Sequence, residues 1–166
     1  MPSALDAFNV TWNQARATFG EGTPVDGSQY DDSRRFLDMQ GTVRSAAPDS
    51  HWTGAASEHY AETNARYAQD FSRMAALDRR LGAVVSWSAD VVDTGRRDLE
   101  AVRQWVNDAS ARLPRSTAGD RVLWSLVSAG NAAIAAIIER SHGELTAITG
   151  RLEDIGREWD ELGSSS

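Results

Sequence analysis

The chain of 166 residues contains no cysteine, and all 17 of its basic residues are arginine, none lysine. Without cysteine there is no disulfide framework, no thiolate-bound zinc and no thiol nucleophile. The arginine bias reads as a GC-rich genome rather than a functional choice, because Arg codons are GC-rich and Lys codons AT-rich. Positive charge is also outnumbered, with 24 acids giving a net charge of −7. Nucleic acid and anionic membrane surfaces both need clustered positive charge, so neither is the expected partner. Proline is scarce, and Pro24, Pro48 and Pro114 fall where helices should break. The opening Met1-Pro2-Ser3-Ala4-Leu5-Asp6 has no basic patch and no apolar core, so no Sec-type signal peptide is expected in this chain.

What is present is a folding composition. Apolar residues make up 41% and six tryptophans are included, enough for one domain that buries about 70% of its unfolded surface. No stretch alternates apolar and polar residues long enough for a convincing strand, so the expected fold class is all-α. Residues 1–162 are read as a single helical-bundle domain. Gly163-Ser164-Ser165-Ser166 is read as a flexible tail or the start of a linker.

Four helices are expected, over about 3–19, 32–47, 54–112 and 118–162. In the first, Leu5, Phe8, Trp12, Ala15 and Phe19 share one stripe, with Ser3 as N-cap, Asp6 three residues on and Gly20 to close it. The second carries Phe36, Gln40, Val43 and Ala47 on its inner face. The third shows a heptad repeat: Tyr60, Tyr67, Phe71, Met74, Asp78, Leu81, Val85 and onward to Leu113, with Asp78, Ser88 and Gly95 off-pattern. Asp78 is read as lying beyond its helix's partners or pairing with an arginine, in preference to a buried polar residue that fixes register. Gly82 and Gly95 are candidate bends. The fourth repeats the pattern from Trp124, Val127 and Ile134 to Leu162. The short break at Leu113-Pro114-Arg115-Ser116 requires the two long helices to fold back antiparallel in an elongated bundle. Within the fourth, Val122–Ile138 is apolar but contains Ser125, Ser128, Gly130 and Asn131. It is read as a buried bundle helix rather than a membrane span, so membrane contact is not favoured.

Candidates for chemistry are few. His51, His59 and His142 show no metal-binding spacing and are read as solvated surface. Asp31-Asp32 and Asp160-Glu161 sit in polar faces or termini, and Gly20-Glu21-Gly22 lacks a third glycine and a preceding strand. No catalytic, cofactor-binding or metal residue is assigned, and an enzyme is not expected. A second stripe lies beside the heptad seam of the third helix: Leu77, Val84, Val91 and Trp105, at intervals of seven, seven and fourteen. The first two helices are too short to cover it. Self-association as an antiparallel dimer, or a small helical partner along this stripe, is therefore expected.

Between the second and third helices stands Trp52-Thr53-Gly54-Ala55-Ala56-Ser57-Glu58-His59-Tyr60. Gly54 lets the backbone turn, the alanines let helices approach, and Trp52 is placed to cover the open end of the bundle. With Gly20-Glu21-Gly22-Thr23-Pro24, the Leu77-Asp78-Arg79 step and Val92-Asp93-Thr94-Gly95-Arg96-Arg97-Asp98-Leu99, this turn resembles the N-terminal domain of EspA/EspE-type ESX (type VII) secretion substrates of mycobacteria. Those substrates are related to the small WXG-motif proteins. The resemblance covers roughly Phe19 to Val106.

It implies a folded, non-enzymatic helical substrate, exported without a cleaved signal peptide to the cell envelope or outside, cytoplasmic before export and associated with virulence or secretion. It also implies the type VII machinery and a small helical partner of the EspC/EspF kind. The type VII signal Tyr-x-x-x-Asp/Glu is absent, since Tyr30, Tyr60 and Tyr67 are followed four places on by Arg34, Asn64 and Phe71. The signal is then expected on a partner. The competing readings are the leader domain of a larger secreted toxin or hydrolase and a cytosolic coiled-coil adaptor.

Overall fold

In the computed structural model, which describes residues 3–165, every regular element among those residues is helical. The α-helices are α1 (Ala4–Thr18), α2 (Ser33–Ser45), α3 (Ala55–Ala111) and α4 (Thr117–Ser164), with a 3-10 turn at Gly27–Tyr30 ahead of α2. At 57 residues α3 exceeds α4 at 48. Met1, Pro2 and Ser166, on which the leader and tail readings partly rest, lie outside the described residues. Gly163 and Ser164 belong to α4 rather than to a tail.

Local chemistry explains the boundaries. The Ser3 side chain accepts from the Asp6 N–H while the Asp6 carboxylate accepts from the Ser3 N–H, a reciprocal cap that satisfies two orphan donors of α1. Gly20 takes a left-handed φ of 65° just past α1, and the Arg16 guanidinium donates to its carbonyl. Gly82 and Gly95 interrupt nothing, because α3 runs through both. They are landing sites instead.

One compact unit holds the chain up to Pro24 together with Ser88–Ala147. Its core joins Phe8 and Trp12 of α1, Leu99 and Val106 of α3, and Val127 and Ile134 of α4. The Trp12 indole N–H donates to the Leu99 carbonyl at 2.6 Å, and the Arg103 guanidinium lies 4.4 Å above the same ring. Gly95 leaves room for Phe19, whose ring would stand 2.2 Å from a Cβ there. Next to it Arg96 donates to the carbonyls of Phe19 and Gly22, holding the loop after α1 on α3. Asp98 pairs with Arg140 across α3 and α4.

The other unit holds Val25–Trp87 together with the chain from Ile148 on. Here Phe36 packs against Trp159 with centroids 6.2 Å apart, Arg80 bridges to Glu158 at 2.8 Å, and the Asn64 amide donates to the Val43 carbonyl. The 3-10 turn is strapped to α3. Gly27 donates its N–H to the Ser86 hydroxyl, and its α-carbon passes so close that a Cβ would meet the Gly82 carbonyl at 1.8 Å. Asp78 neither outreaches its partners nor pairs with an arginine. Its carboxylate accepts the Asp32 backbone N–H at 2.5 Å, at the N-cap of α2.

Three carboxylates in these junctions are held below the usual range by hydrogen bonds to their charged form. For Asp6 and Asp26 the chief donors are backbone N–H groups, of Ser3 and Ser28 respectively; for Asp31 it is the Ser33 side chain, then its N–H. A depressed folded pKa contributes stability above the unfolded value of about 4, and that contribution is lost as pH falls through the folded pKa. Thermal melts should therefore coincide between pH 7 and 5 and shift downward only below about pH 4. Asp31→Asn should flatten that acid shift, and an unflattened profile would contradict the assignment.

Candidate functional site

The junction between α2 and α3 is built from short-range bonds. The Asp49 carboxylate accepts from the His51 N–H, and the Trp52 N–H donates to the Asp49 carbonyl at 3.2 Å. Gly54 then takes φ 108°, a conformation that costs any side chain, and α3 begins at the next residue. The Ser57 hydroxyl donates back to the Trp52 carbonyl at 2.7 Å, which pins the turn to the first turn of α3.

Trp52 does not plug the bundle. It stays 47% exposed and leans on Tyr60, with ring centroids 5.2 Å apart. Tyr60 and Tyr67 are exposed as well, although the heptad count gave both to the seam. The residues that face inward are Ser57, Asn64, Ala68 and Ala75, one step round the helix. Ala55 and Ala56 are exposed, and the close approach of α2 is made at Asn64 instead. Trp52, Tyr60 and Tyr67 thus present an aromatic surface, and nearby a groove of about 340 Å³ is lined by Gln40, Arg44, Ala61, Asn64 and Ala68. The polar tip of tyrosine was the available signal, since it keeps one end of the ring in water.

Because Trp52 is half in water, truncation should cost far less than for a core aromatic. Trp52→Ala is expected to lower stability by about 1 kcal/mol, the range of an aromatic pair. A loss above about 3 kcal/mol in denaturant melts would mean that the ring is core after all.

The expected second stripe is not an open surface. Leu77, Val84 and Val91 are all buried, while Trp105 is 48% exposed. Trp105 is therefore separated from the other three, and the four do not form a docking seam. The Val122–Ile138 stretch also departs from expectation. Val127, Ile134 and Ile137 turn inward, but Val122 and Trp124 remain 51% and 62% exposed. By length and composition α4 is the one helix among the described residues able to cross a membrane, and 22% of its most apolar window is buried.

Chemistry is thinly represented. Among the described residues no group of three or more His, Asp or Glu is placed to hold a metal. The ion pairs between helices, Arg80–Glu158 and Asp98–Arg140, lie in exposed positions where such pairs contribute little.

Residues 19–101 match the sequence model of the EspA/EspE family. The ESX-1 secretion-associated protein EspE of Mycolicibacterium smegmatis is 29% identical over 96 residues, which cover 57% of this chain and 18% of that protein. The chain therefore spans less than a fifth of that relative's length. No solved structure matches it.

Proposed function

Because the chain belongs to the EspA/EspE family, we propose that it is a non-enzymatic substrate, or the N-terminal export module of one, of a mycobacterial type VII (ESX) secretion system. The family match over residues 19–101 carries this reading. It is supported by what that segment does in each unit. Phe19 and Gly22 at its start are gripped by Gly95 and Arg96 near its end, and Asp32 is held by Asp78. These positions of the matched segment lock chain segments onto α3, which suits a cargo exported in the folded state.

On this reading residues 1–162 act as one module, with α3 and α4 running antiparallel. Support for that pairing comes from contacts in each unit. Asp98 meets Arg140 while Val106 lies against Gly130 in one, and Leu77 shares a groove with Leu162 while Val84 shares one with Ile155 in the other. In both, numbers fall along α4 as they rise along α3. The module works through helix–helix contacts rather than catalysis. The Trp52 turn with Tyr60 and Tyr67 is the surface offered to the secretion machinery or to a small helical partner of the EspC/EspF kind, which would carry the missing Tyr-x-x-x-Asp/Glu signal. Its destination is the cell envelope or the medium.

Detection in culture filtrate of the native cell, lost when the secretion ATPase is disabled, tests the assignment. Trp52→Ala should abolish that appearance while leaving the melting temperature within a few degrees. Export that continues without the ATPase would overturn the reading.

A further inference from the structure

One outward face of α4 has no counterpart in the unit that contains it. Arg121, Ser125, Ser128, Ala132, Ala135 and Glu139 are all exposed. Eighteen residues separate Arg121 from Glu139, which is five turns at about 3.6 residues per turn, so all six share one straight stripe. Its middle is uncharged and small, and its two ends carry opposite charges. Among the described residues neither Arg121 nor Glu139 makes an ion pair within the chain. Small side chains alone do not make a site. The charge pattern points to the occupant.

We propose that this face binds the same face of a second copy of the chain, with the two α4 helices antiparallel and centred on Gly130. In that register position n faces position 260 − n. Arg121 then faces the partner subunit's Glu139, and the second copy returns the same contact, as a two-fold interface requires. Ser125 and Ser128 face the partner's Ala135 and Ala132, so the backbones can approach at the short end of the usual interhelical range of about 8–10 Å. A parallel pairing would set Arg121 against Arg121 and Glu139 against Glu139. Each small residue buries little area, so association is expected at micromolar rather than nanomolar concentration. The pairing is independent of the secretion reading, and either can fail alone.

Sedimentation equilibrium of the 166-residue chain decides it. At micromolar concentration the mass should rise from 18.1 kDa toward twice that value. Ala132→Glu, at an exposed position, should weaken association at least tenfold with unchanged helicity and melting temperature. Arg121→Glu and Glu139→Arg should each self-associate poorly, yet mixing the two variants should yield a heterodimer, because each then meets an opposite charge at both ends. A wild-type chain that stays monomeric, a dimer indifferent to Ala132→Glu, or a mixture that forms no heterodimer overturns the proposal. So does a monomer that instead binds phosphatidylcholine vesicles in a manner abolished by Ala132→Glu, since the face would then belong to a membrane.

Discussion

Replacing Phe8 with alanine is expected to lower the stability of its unit by about 3–5 kcal/mol, the range for emptying a core aromatic site. Phe8 is fully buried and meets all three helices of that core. Its ring lies against bare backbone at Gly130, where a Cβ would come within 2.8 Å of both the ring and the Val106 methyl. The void left by truncation would thus be walled by backbone on one side and by Leu99 and Val106 on another, and such walls collapse poorly. Whole-domain stabilities run about 5–15 kcal/mol, so the loss is a large fraction of the total. Gly130→Ala should cost stability in the wild-type chain and cost less in the Phe8→Ala background, because the clash with the ring is then gone and only the contact with the Val106 methyl remains. Denaturant melts of the four combinations measure this coupling. Additive losses would show that ring and backbone are not in tight contact.

The second large effect is expected at Gly27. A Cβ there would sit 1.8 Å from the Gly82 carbonyl oxygen and 2.7 Å from the Ser86 nitrogen, both atoms of the α3 backbone. Neither can yield as a flexible side chain would, so Gly27→Val must lift the 3-10 turn away from α3. Lifting breaks the bond from the Gly27 N–H to Ser86 and strains that from the Asp32 N–H to Asp78. A cost of about 3 kcal/mol is expected, at the upper end of ordinary overpacking. Gly54→Ala is the contrast. No atom lies within 4 Å of its Cβ, so only the positive φ is penalised, by about 1 kcal/mol. Tryptic cleavage after Arg34 should quicken in the Gly27 variant and not in the Gly54 variant. Equal behaviour would sink the strap.

The helix boundaries were legible because breakers and caps act over a few residues. Ser3 with Asp6, Pro48 and Pro114 operate through bonds and clashes that sequence neighbours decide. The facing of α3 was not legible to the same degree. Counting large apolar residues favoured Tyr60 and Tyr67, whereas the structure buries Ser57, Asn64, Ala68 and Ala75. Small residues mark close approach, and they carry almost no weight in a hydrophobic pattern. The supposed stripe from Leu77 to Trp105 failed for a geometric reason. A strict seven-residue spacing drifts by about 20° per heptad on a straight helix, so Trp105 lies about 80° round from Leu77. Asp78 was misread because the group it caps, the N–H of Asp32, is 46 residues away in sequence. The aromatic surface at the Trp52 turn was half visible: the turn stood out, but the neighbours that share its exposure had been assigned to the interior.

The placement of the tryptophans gives the protein a built-in optical readout. Trp12 is buried and hydrogen-bonded, whereas Trp52, Trp105 and Trp124 stand about half or more in water. Indole emission shifts to the red as water relaxes around the excited ring, so the spectrum should be a sum of a blue component from the interior and a red one from the surface. A neutral quencher such as acrylamide should strip the red component first. Loss of the blue edge during unfolding would then report opening around Trp12 and around the half-buried Trp87 and Trp159, while changes confined to the red edge would report what happens to the outer rings when something settles on them.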